Sequence, residues 1–475
     1  MKSSIAALTV ILSAAILILL VVLLWGQGKQ APATAVVSWP EVTLNGNDRL
    51  LILAPHPDDE VLGCGGIIQQ ALALRLPVRV VFLTYGDFYE WSFVRYKGWP
   101  VLTPRGVEGM GEIRHDEALA AASTLGLSSG DVQFLGYPDF GTLEMWYRAW
   151  GQAPPVKGML TRATAVPYNN ALRPGAPYKG EEVLKSLTSI LREFQPTKVF
   201  VSHPADHHPD HRAFYLFARV ALFDVEQELS PQIYPYLVHY SRWPTPEGNH
   251  PNEPMQPPAT LTDPIPWSVV PLNAQQEAAK AAALECHKTQ MKASSRFLRS
   301  FVRSNELFGD FPPVVLQAQT PPRSLSDKTD FPTPSPEIVE RAHWVGIVEW
   351  TVQVEEDALV FLIRLTRPPT KEVGSSLYLF GYRRDEPFAQ MPKFHIKFGP
   401  IFHQFYNQDR EIPPEQVQVT RSGRDIHVRV PLAMMGHPQR ILASVRTYVA
   451  AVPLDWQSWQ ILEVGNAPTL PSPSR

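Results

Sequence analysis

The stretch RLLILAPHPDDEVLGCGGIIQQALAL, residues 49–74, sets the fold class. Arg49–Ala54 is an apolar run of strand length that Pro55 brings to a stop, and Ile67–Leu74 has helical patterning. Working outward, Val78–Thr84 and Lys198–Ser202 are further strand-length runs, and Ile113–Leu125 and Glu181–Phe194 are helical stretches between them. Strands that alternate with helices in this way form right-handed βαβ units. The expected architecture over residues 48–310 is therefore an α/β domain with a Rossmann-like, mainly parallel sheet. Sites in such sheets lie at the carboxyl ends of the strands, and Pro55–Glu60 falls at one of those ends.

The chain has 475 residues with a formal net charge of −3 and is 44% hydrophobic. That composition excludes a wholly disordered protein, and the near-neutral balance argues against a nucleic-acid partner. Two cysteines, Cys64 and Cys286, make no disulfide framework. Nothing in the sequence specifies an oligomeric state. Pro244–Pro266 reads as a surface loop and residues 311–338 as a proline-rich linker. Beyond it Trp344–Val354, Ala358–Leu365, Ser376–Tyr382, Asp425–Val430 and Ile441–Val452 are strand-like, which predicts a smaller β-sandwich domain over residues 339–465. At the other end, Ser3 to Gly28 carries no charge and Ile5–Trp25 is almost wholly aliphatic, long enough for a transmembrane helix. Residues 1–28 are thus expected to be a membrane anchor. The chain would be single-pass with its remainder outside the cytoplasm, or secreted if Ala33-Thr34-Ala35 is a cleavage site.

Two constellations carry chemistry. His56-Pro57-Asp58-Asp59-Glu60 puts one imidazole and three carboxylates in a short turn after a strand. Buried charges of one sign must be paired or must coordinate something, and an N/O donor set suits zinc or a neighbouring transition metal. The bland alternative is an acidic turn capping the next helix. Gly63-Cys64-Gly65-Gly66 would let the chain turn into that helix; as a phosphate loop it lacks the G-K-[ST] ending. His208-Pro209-Asp210-His211 follows Lys198–Ser202 and should reach the same sheet edge, with His203 and His207 close by. His207 and His211 would share a helical face only if the helix began near Pro209, so the third metal ligand has more than one candidate.

Together, Pro55–Glu60 and His208–His211 resemble the GlcNAc-phosphatidylinositol de-N-acetylase family, also called PIG-L or LmbE-like. Arg114-His115-Asp116-Glu117-Ala118 is similar to the family's R-x-x-E helix, Leu135-Gly136-Tyr137-Pro138-Asp139 to its L-G-x-x-D strand end, and Lys280 with Gln290 to a late K…Q helix. The resemblance implies His56, Asp59 and His211 as zinc ligands, ferrous iron suiting the same set. It implies Asp58 as general base, His208 as the residue that steadies the oxyanion and protonates the leaving amine, and Asp210 as the group that orients His208. Glu60 would support His56 or the turn. The implied activity is metal-dependent removal of the N-acetyl group from an N-acetylglucosamine-type sugar in a glycolipid or envelope glycan. The alternatives are an amidase on another small amide and a non-catalytic glycan-binding protein on the same scaffold.

Phe88–Glu112, with Trp91, Tyr96, Trp99 and Arg105, would form either a wall facing the substrate or a packed loop. The C-terminal aromatics Trp344, Trp350, Tyr378, Tyr382, Trp456 and Trp459 would either stack on glycan, as in carbohydrate-binding-like modules, or fill a core.

Overall fold

The structure is a computed structural model that describes residues 39–88, 103–262, 265–327, 344–450 and 452–465. In the N-terminal part the elements run β1 (Leu50–Ala54), α1 (Asp59–Ala73), β2 (Val78–Phe82), α2 (Pro104–Leu125), β3 (Val132–Phe134), α3 (Thr142–Arg148), α4 (Gly180–Phe194), β4 (Lys198–Ser202), α5 (Pro209–Val225) and β5 (Gln232–Tyr236). A short antiparallel pair, β6 (Ser268–Pro271) and β7 (Asn305–Phe308), brackets α6 (Ala274–Cys286) and α7 (Lys288–Arg299). The five strands β1 to β5 make one parallel sheet in the order β3-β2-β1-β4-β5. Every residue of β1 and β4 is buried, as befits central strands covered on both faces. From β1 the chain winds outward through β2 and β3, and from β4 the opposite way to β5. The crevice beyond the carboxyl ends of β1 and β4 is therefore the point where strand order reverses, and ligands bind there in sheets of this kind.

Helix α1 begins at Asp59, so Gly63–Gly66 lies inside a helix and is not the turn leading into it. The glycines let it pack closely. A Cβ on Gly63 would meet the Tyr236 ring at 2.4 Å, and one on Gly66 would meet Leu272 at 2.2 Å.

The C-terminal part is β-rich. One antiparallel sheet has the order β16 (Gln418–Ser422), β17 (Asp425–Pro431), β11 (Ala358–Leu365), β10 (Ile347–Glu355) and β9 (Arg323–Ser324). The other runs β15 (Arg410–Glu411), β14 (Phe402–Asn407), β13 (Lys393–Gly399), β12 (Val373–Tyr382), β18 (Arg440–Val449), β20 (Gln460–Val464) and β8 (Val314–Leu316), with β19 (Val452–Trp456) on β18. Residues from both sheets share one apolar core, among them Trp350, Phe361, Leu377, Phe394 and Val445. Because β8 and β9 belong to these sheets, part of the stretch expected to be a linker is built into them.

All of β12 is buried, because each of its faces has a partner. Leu377 and Leu379 enter the β core. The alternate residues Tyr378, Phe380 and Tyr382 meet Tyr147, Trp146 and Phe223 of the N-terminal part at ring separations of 4.7, 5.3 and 5.1 Å. Tyr382 also donates to Asp224 at 3.0 Å. The described residues from Glu41 onward accordingly fall in one compact unit. Trp350, Tyr378, Tyr382, Trp456 and Trp459 are buried in the core or at this joint, leaving them unavailable as a surface stacking platform.

The membrane-spanning helix expected from the sequence is corrected. Among the described residues no helix is long and apolar enough to cross a membrane. The longest, α2, carries charges along its length from Arg105 to Glu117. Ile5–Trp25 lies outside the described residues. The observed class is mixed α/β with a parallel sheet followed by a β-rich part, and a single-pass, anchored location is not carried further.

At the joint, Lys393 is 1% exposed. It donates to the carbonyls of Phe388 and Met391 and lies 4.7 Å from the Trp150 ring centroid and 4.2 Å from that of Phe388. Burial pushes its ammonium down to about 7 from an ordinary 10.5, against the opposing pull of Glu181 and Glu386. Between those two values the unfolded chain holds a proton that the folded chain lacks, so this group's contribution to stability rises with pH across the window. Lys393→Met should therefore be more stable than the parent near neutrality, with the gap closing as pH approaches 10.5. Paired denaturant melts across that range check this.

Candidate active site

Three segments converge on the crevice. The first is the turn after β1. Pro55 is pinned by its carbonyl, which accepts from the Thr84 amide and hydroxyl at 3.1 Å each. Asp58 caps α1 with φ 128° and ψ −27°, a conformation that costs a side-chain-bearing residue roughly 1–3 kcal/mol and that clusters at functional sites. Its amide donates to Glu60 Oε2 at 2.9 Å, and Glu60 Oε1 lies 3.1 Å from His287 Nε2, so Glu60 braces the turn. Glycine relieves such strain, whereas alanine keeps it. Asp58→Gly should therefore unfold at higher temperature than Asp58→Ala, by about 1–2 kcal/mol, although both lose the carboxylate.

The second segment is the start of α5. Pro209 occupies its first position and His208 is the N-cap, with Nδ1 accepting from the Asp210 amide at 3.3 Å. That bond leaves the proton of a neutral His208 on Nε2. His207 precedes the helix, so it shares no helical face with His211. The third segment is the loop after β3, which supplies Asp139 and Phe140.

Asp59 Oδ2 sits between two imidazoles, 3.3 Å from His56 Nδ1 and 3.1 Å from His211 Nε2. His56, His208 and His211 each offer a ring nitrogen within 4.8 Å of the others. A tetrahedral centre with bonds of about 2.0–2.2 Å separates its ligand atoms by about 3.3–3.6 Å, close to the two edges that Asp59 makes with His56 and His211. Asp59 Oδ1 is buried with no hydrogen-bond partner. The residues therefore fit a divalent ion. Around them, His56 Nε2 lies 3.2 Å from both Asp139 Oδ1 and Asp210 Oδ2, and His211 Nδ1 lies 3.1 Å from Asp206 Oδ2. Carboxylates behind ligating imidazoles fix ring orientation and raise basicity.

Asp210 does not make the contact expected of it. Its carboxylate accepts from the Phe140 amide at 2.6 Å and from Thr142, faces His56, and stands 3.9 Å from His208 Nδ1. Asp206 and His239 were not singled out from the sequence. Asp206 precedes the motif, and its Oδ2 is held by the amides of Val238 and His239 at 3.0 and 2.9 Å, contacts that local spacing does not encode. His203 is a core residue: burial pushes it down to about 3, its Nδ1 accepts from Ala205, and it stacks on Trp267. Arg114 donates to the carbonyls of Gly86 and Pro57 at 2.7 Å each and lies 3.8 Å from Asp58. Glu117 accepts from Thr289 at 2.9 and 2.6 Å, holding the start of α7, and Gln290 lines the pocket. Arg105 is exposed at the start of α2, while Trp91, Tyr96 and Trp99 lie outside the described residues.

Burial pushes the Asp58 carboxyl up to about 6, with Arg114 opposing and Asp59 adding. Burial alone would lower the His211 imidazole, but Asp206 and Asp59 raise it to about 9, and the same pairing holds Asp59 well below the carboxylate range. Burial holds His208 well below the usual imidazole value, and the charges of His56, His239 and His211 add to it. The pocket bounded by His56, Asp58, Asp139, Phe140, His208 and Phe297 encloses about 280 Å³.

Residues 51–222 match the family model described as PIG-L, GlcNAc-PI de-N-acetylase. That span contains every residue of the three converging segments. Residues 51–222 are a PIG-L-family domain. The chain is 33% identical over 177 residues to 1D-myo-inositol 2-acetamido-2-deoxy-alpha-D-glucopyranoside deacetylase 1 of Saccharopolyspora erythraea, covering 36% of this chain and 52% of that protein. A Rhodococcus jostii deacetylase of the same description is 29% identical over 165 residues, covering 34% and 49%. The chain thus spans about half the length of the curated relatives it matches. Among solved structures, N,N'-diacetylchitobiose deacetylase from Pyrococcus horikoshii is 23% identical, with 55% of this chain and 82% of that one covered at a TM-score of 0.34. The β-rich part lies wholly outside the PIG-L match.

Proposed function

We propose that this protein hydrolyses the acetamide of an N-acetylglucosamine-type sugar, releasing acetate and the free amine. The observation that carries the reading is the single carboxylate oxygen of Asp59 held between His56 and His211, with Asp58 next to it on a strained turn. The PIG-L match and the substrate named for both curated relatives support the sugar class. The glycolipid or envelope setting drew on the expected anchor as well as on the resemblance, so the substrate is drawn no more narrowly than that class.

In this reading His56, Asp59 and His211 hold a divalent ion, zinc or ferrous iron. When bound, the ion supplies a Lewis acid for the acetamide carbonyl and lowers the pKa of water. Asp58 takes the proton of the attacking water, with Arg114 keeping the carboxylate turned toward the pocket. His208 offers its Nε2–H to the oxygen on which charge develops; held neutral, it keeps that proton, and the proton that the departing amine needs is the one Asp58 took from the attacking water. Asp139 and Asp210 hold His56, and Asp206 holds His211.

The test is a substrate panel with parallel metal analysis on the purified chain. Acetate should appear from N-acetylglucosaminides and not from simple aliphatic acetamides, and chelator should abolish it. Release from the simple amides with the sugars untouched would replace this reading with the amidase one. Removing the carboxylate behind a ligating imidazole typically costs about 10–100-fold in metal affinity or activity. Asp206→Asn should show a loss of that size by metal titration.

A further inference from the structure

Beside the catalytic pocket runs a second cavity of about 520 Å³ at the joint of the two parts. Phe140 lines both cavities, and its ring lies 4.3 Å from that of His208. From there the groove passes Tyr147 of α3 and reaches Tyr378, Lys397, Tyr406 and Arg446 on the β-rich sheet. The rings of Tyr147 and Tyr378 stack at 4.7 Å, and those of Tyr378 and His395 at 4.3 Å.

Two of the cations here, Arg446 and Lys397, have no anion partner among the described residues. Arg446 lies over the rings of Tyr378 and Tyr448 at 5.3 and 5.6 Å, and its Nε is buried with no hydrogen-bond partner. Lys397 Nζ stands 5.2 Å over the Tyr406 ring. Among the described residues neither has a carboxylate within ion-pairing distance. Arg212, next to His211 on α5, also has an unpartnered Nε and rests on Trp456 at 4.3 Å. Burial, with the charge of Arg446 adding, pushes Lys397 down. The acids at this groove do not compensate: Glu144 is paired to Arg148, and Asp409 is exposed. Like charges gathered in a half-buried groove are costly to keep unless an anion arrives. Of the rings beside them Tyr378 is buried, but Tyr147 and Tyr406 are half-buried and suit the apolar face of a sugar.

We propose that this groove is a second subsite that binds an anionic group, a carboxylate or a phosphate ester, on the sugar unit next to the one deacetylated. The proposal rests on the deacetylase reading and adds a role for the β-rich part: Lys397 and Arg446 select acidic glycans by binding, without touching the reacting atoms.

Two arms test it on the full chain. In the first, a uronic-acid disaccharide and a sugar phosphate, neither carrying an acetamide, are titrated by calorimetry. Both charges contribute hydrogen bonds to an ion, so the Lys397→Ala/Arg446→Ala double variant should bind at least about tenfold more weakly. High salt should weaken the parent likewise. Comparing the two ligands shows which anion the groove takes. In the second arm, acetate release is compared for N-acetylglucosaminides with an acidic or a neutral neighbouring sugar. The double variant should raise KM for the acidic substrate by about tenfold and leave kcat and the neutral substrate unchanged. Lys397→Gln alone, and Arg446→Lys, which keeps the charge, guard against a folding defect. Failure of the parent to bind either anion, or equal binding by parent and double variant, would overturn the proposal. Anion binding without acetate release from any sugar would leave the groove standing and sink the deacetylase reading.

Discussion

Asp58→Asn should lower acetate release by about 10²–10⁴-fold, the size of a general-base contribution, with bound metal unchanged. Asparagine has the shape of aspartate and tolerates positive φ better than most residues, so the cap of α1 and the turn after β1 should persist. The His56, Asp59 and His211 donors do not involve the Asp58 carboxylate. What asparagine cannot do is take a proton from water. Asp59→Ala is the contrasting case. It removes the one oxygen that, among the described residues, both imidazoles share, and should lose metal and activity together. Turnover and metal content measured on the same preparations separate the two. Near-parent rates in Asp58→Asn would remove Asp58 from the base role.

Lys280→Ala should destabilise the fold by about 3–5 kcal/mol, the cost of stranding a buried charge. Lys280 and Glu306 are each 1% exposed and lie 2.7 Å apart. Glu306 accepts from the amides of Gly66 and Ile67 at 2.6 and 2.9 Å, and Lys280 donates to the Leu62 carbonyl at 2.9 Å. The pair thus clasps the middle of α1 and binds it to α6 and β7, just behind Asp59. Without the ammonium, Glu306 keeps only its two amide donors. Lys280→Met with Glu306→Gln should recover part of the loss, since an apolar or neutral pair avoids the stranded charge. Thermal melts of the single and double variants check this, and an unchanged Tm for Lys280→Ala would show that the pair carries no net weight.

How much of this was legible in the sequence depended on how local its cause was. Lys198–Ser202 was read with its observed bounds because a buried parallel strand is one continuous apolar run. The PHPDDE and HPDH motifs each sit within a single strand end, so their arrival at one crevice followed from strand polarity alone. Asp139 and Arg114 were visible only as parts of weaker patterns. Asp206, His239, His287 and Glu306 were invisible because their roles depend on partners far away in the chain. Gly63–Gly66 looked like a turn because the close approach of Tyr236 and Leu272 leaves no local mark. The C-terminal aromatics were ambiguous for the same reason: only the structure reveals that β12 presents Tyr378, Phe380 and Tyr382 to α3 and α5. The apolar N-terminal stretch was read as a membrane span by length and hydropathy, and no helix among the described residues bears that reading out.

The most direct test is to incubate the purified chain with a simple N-acetylglucosaminide and quantify acetate and free amine together, before chelation, after chelation, and after zinc or ferrous iron is restored. The account predicts equal amounts of the two products, their loss on chelation and their return with metal. An intact acetamide after incubation with metal-loaded protein would contradict it.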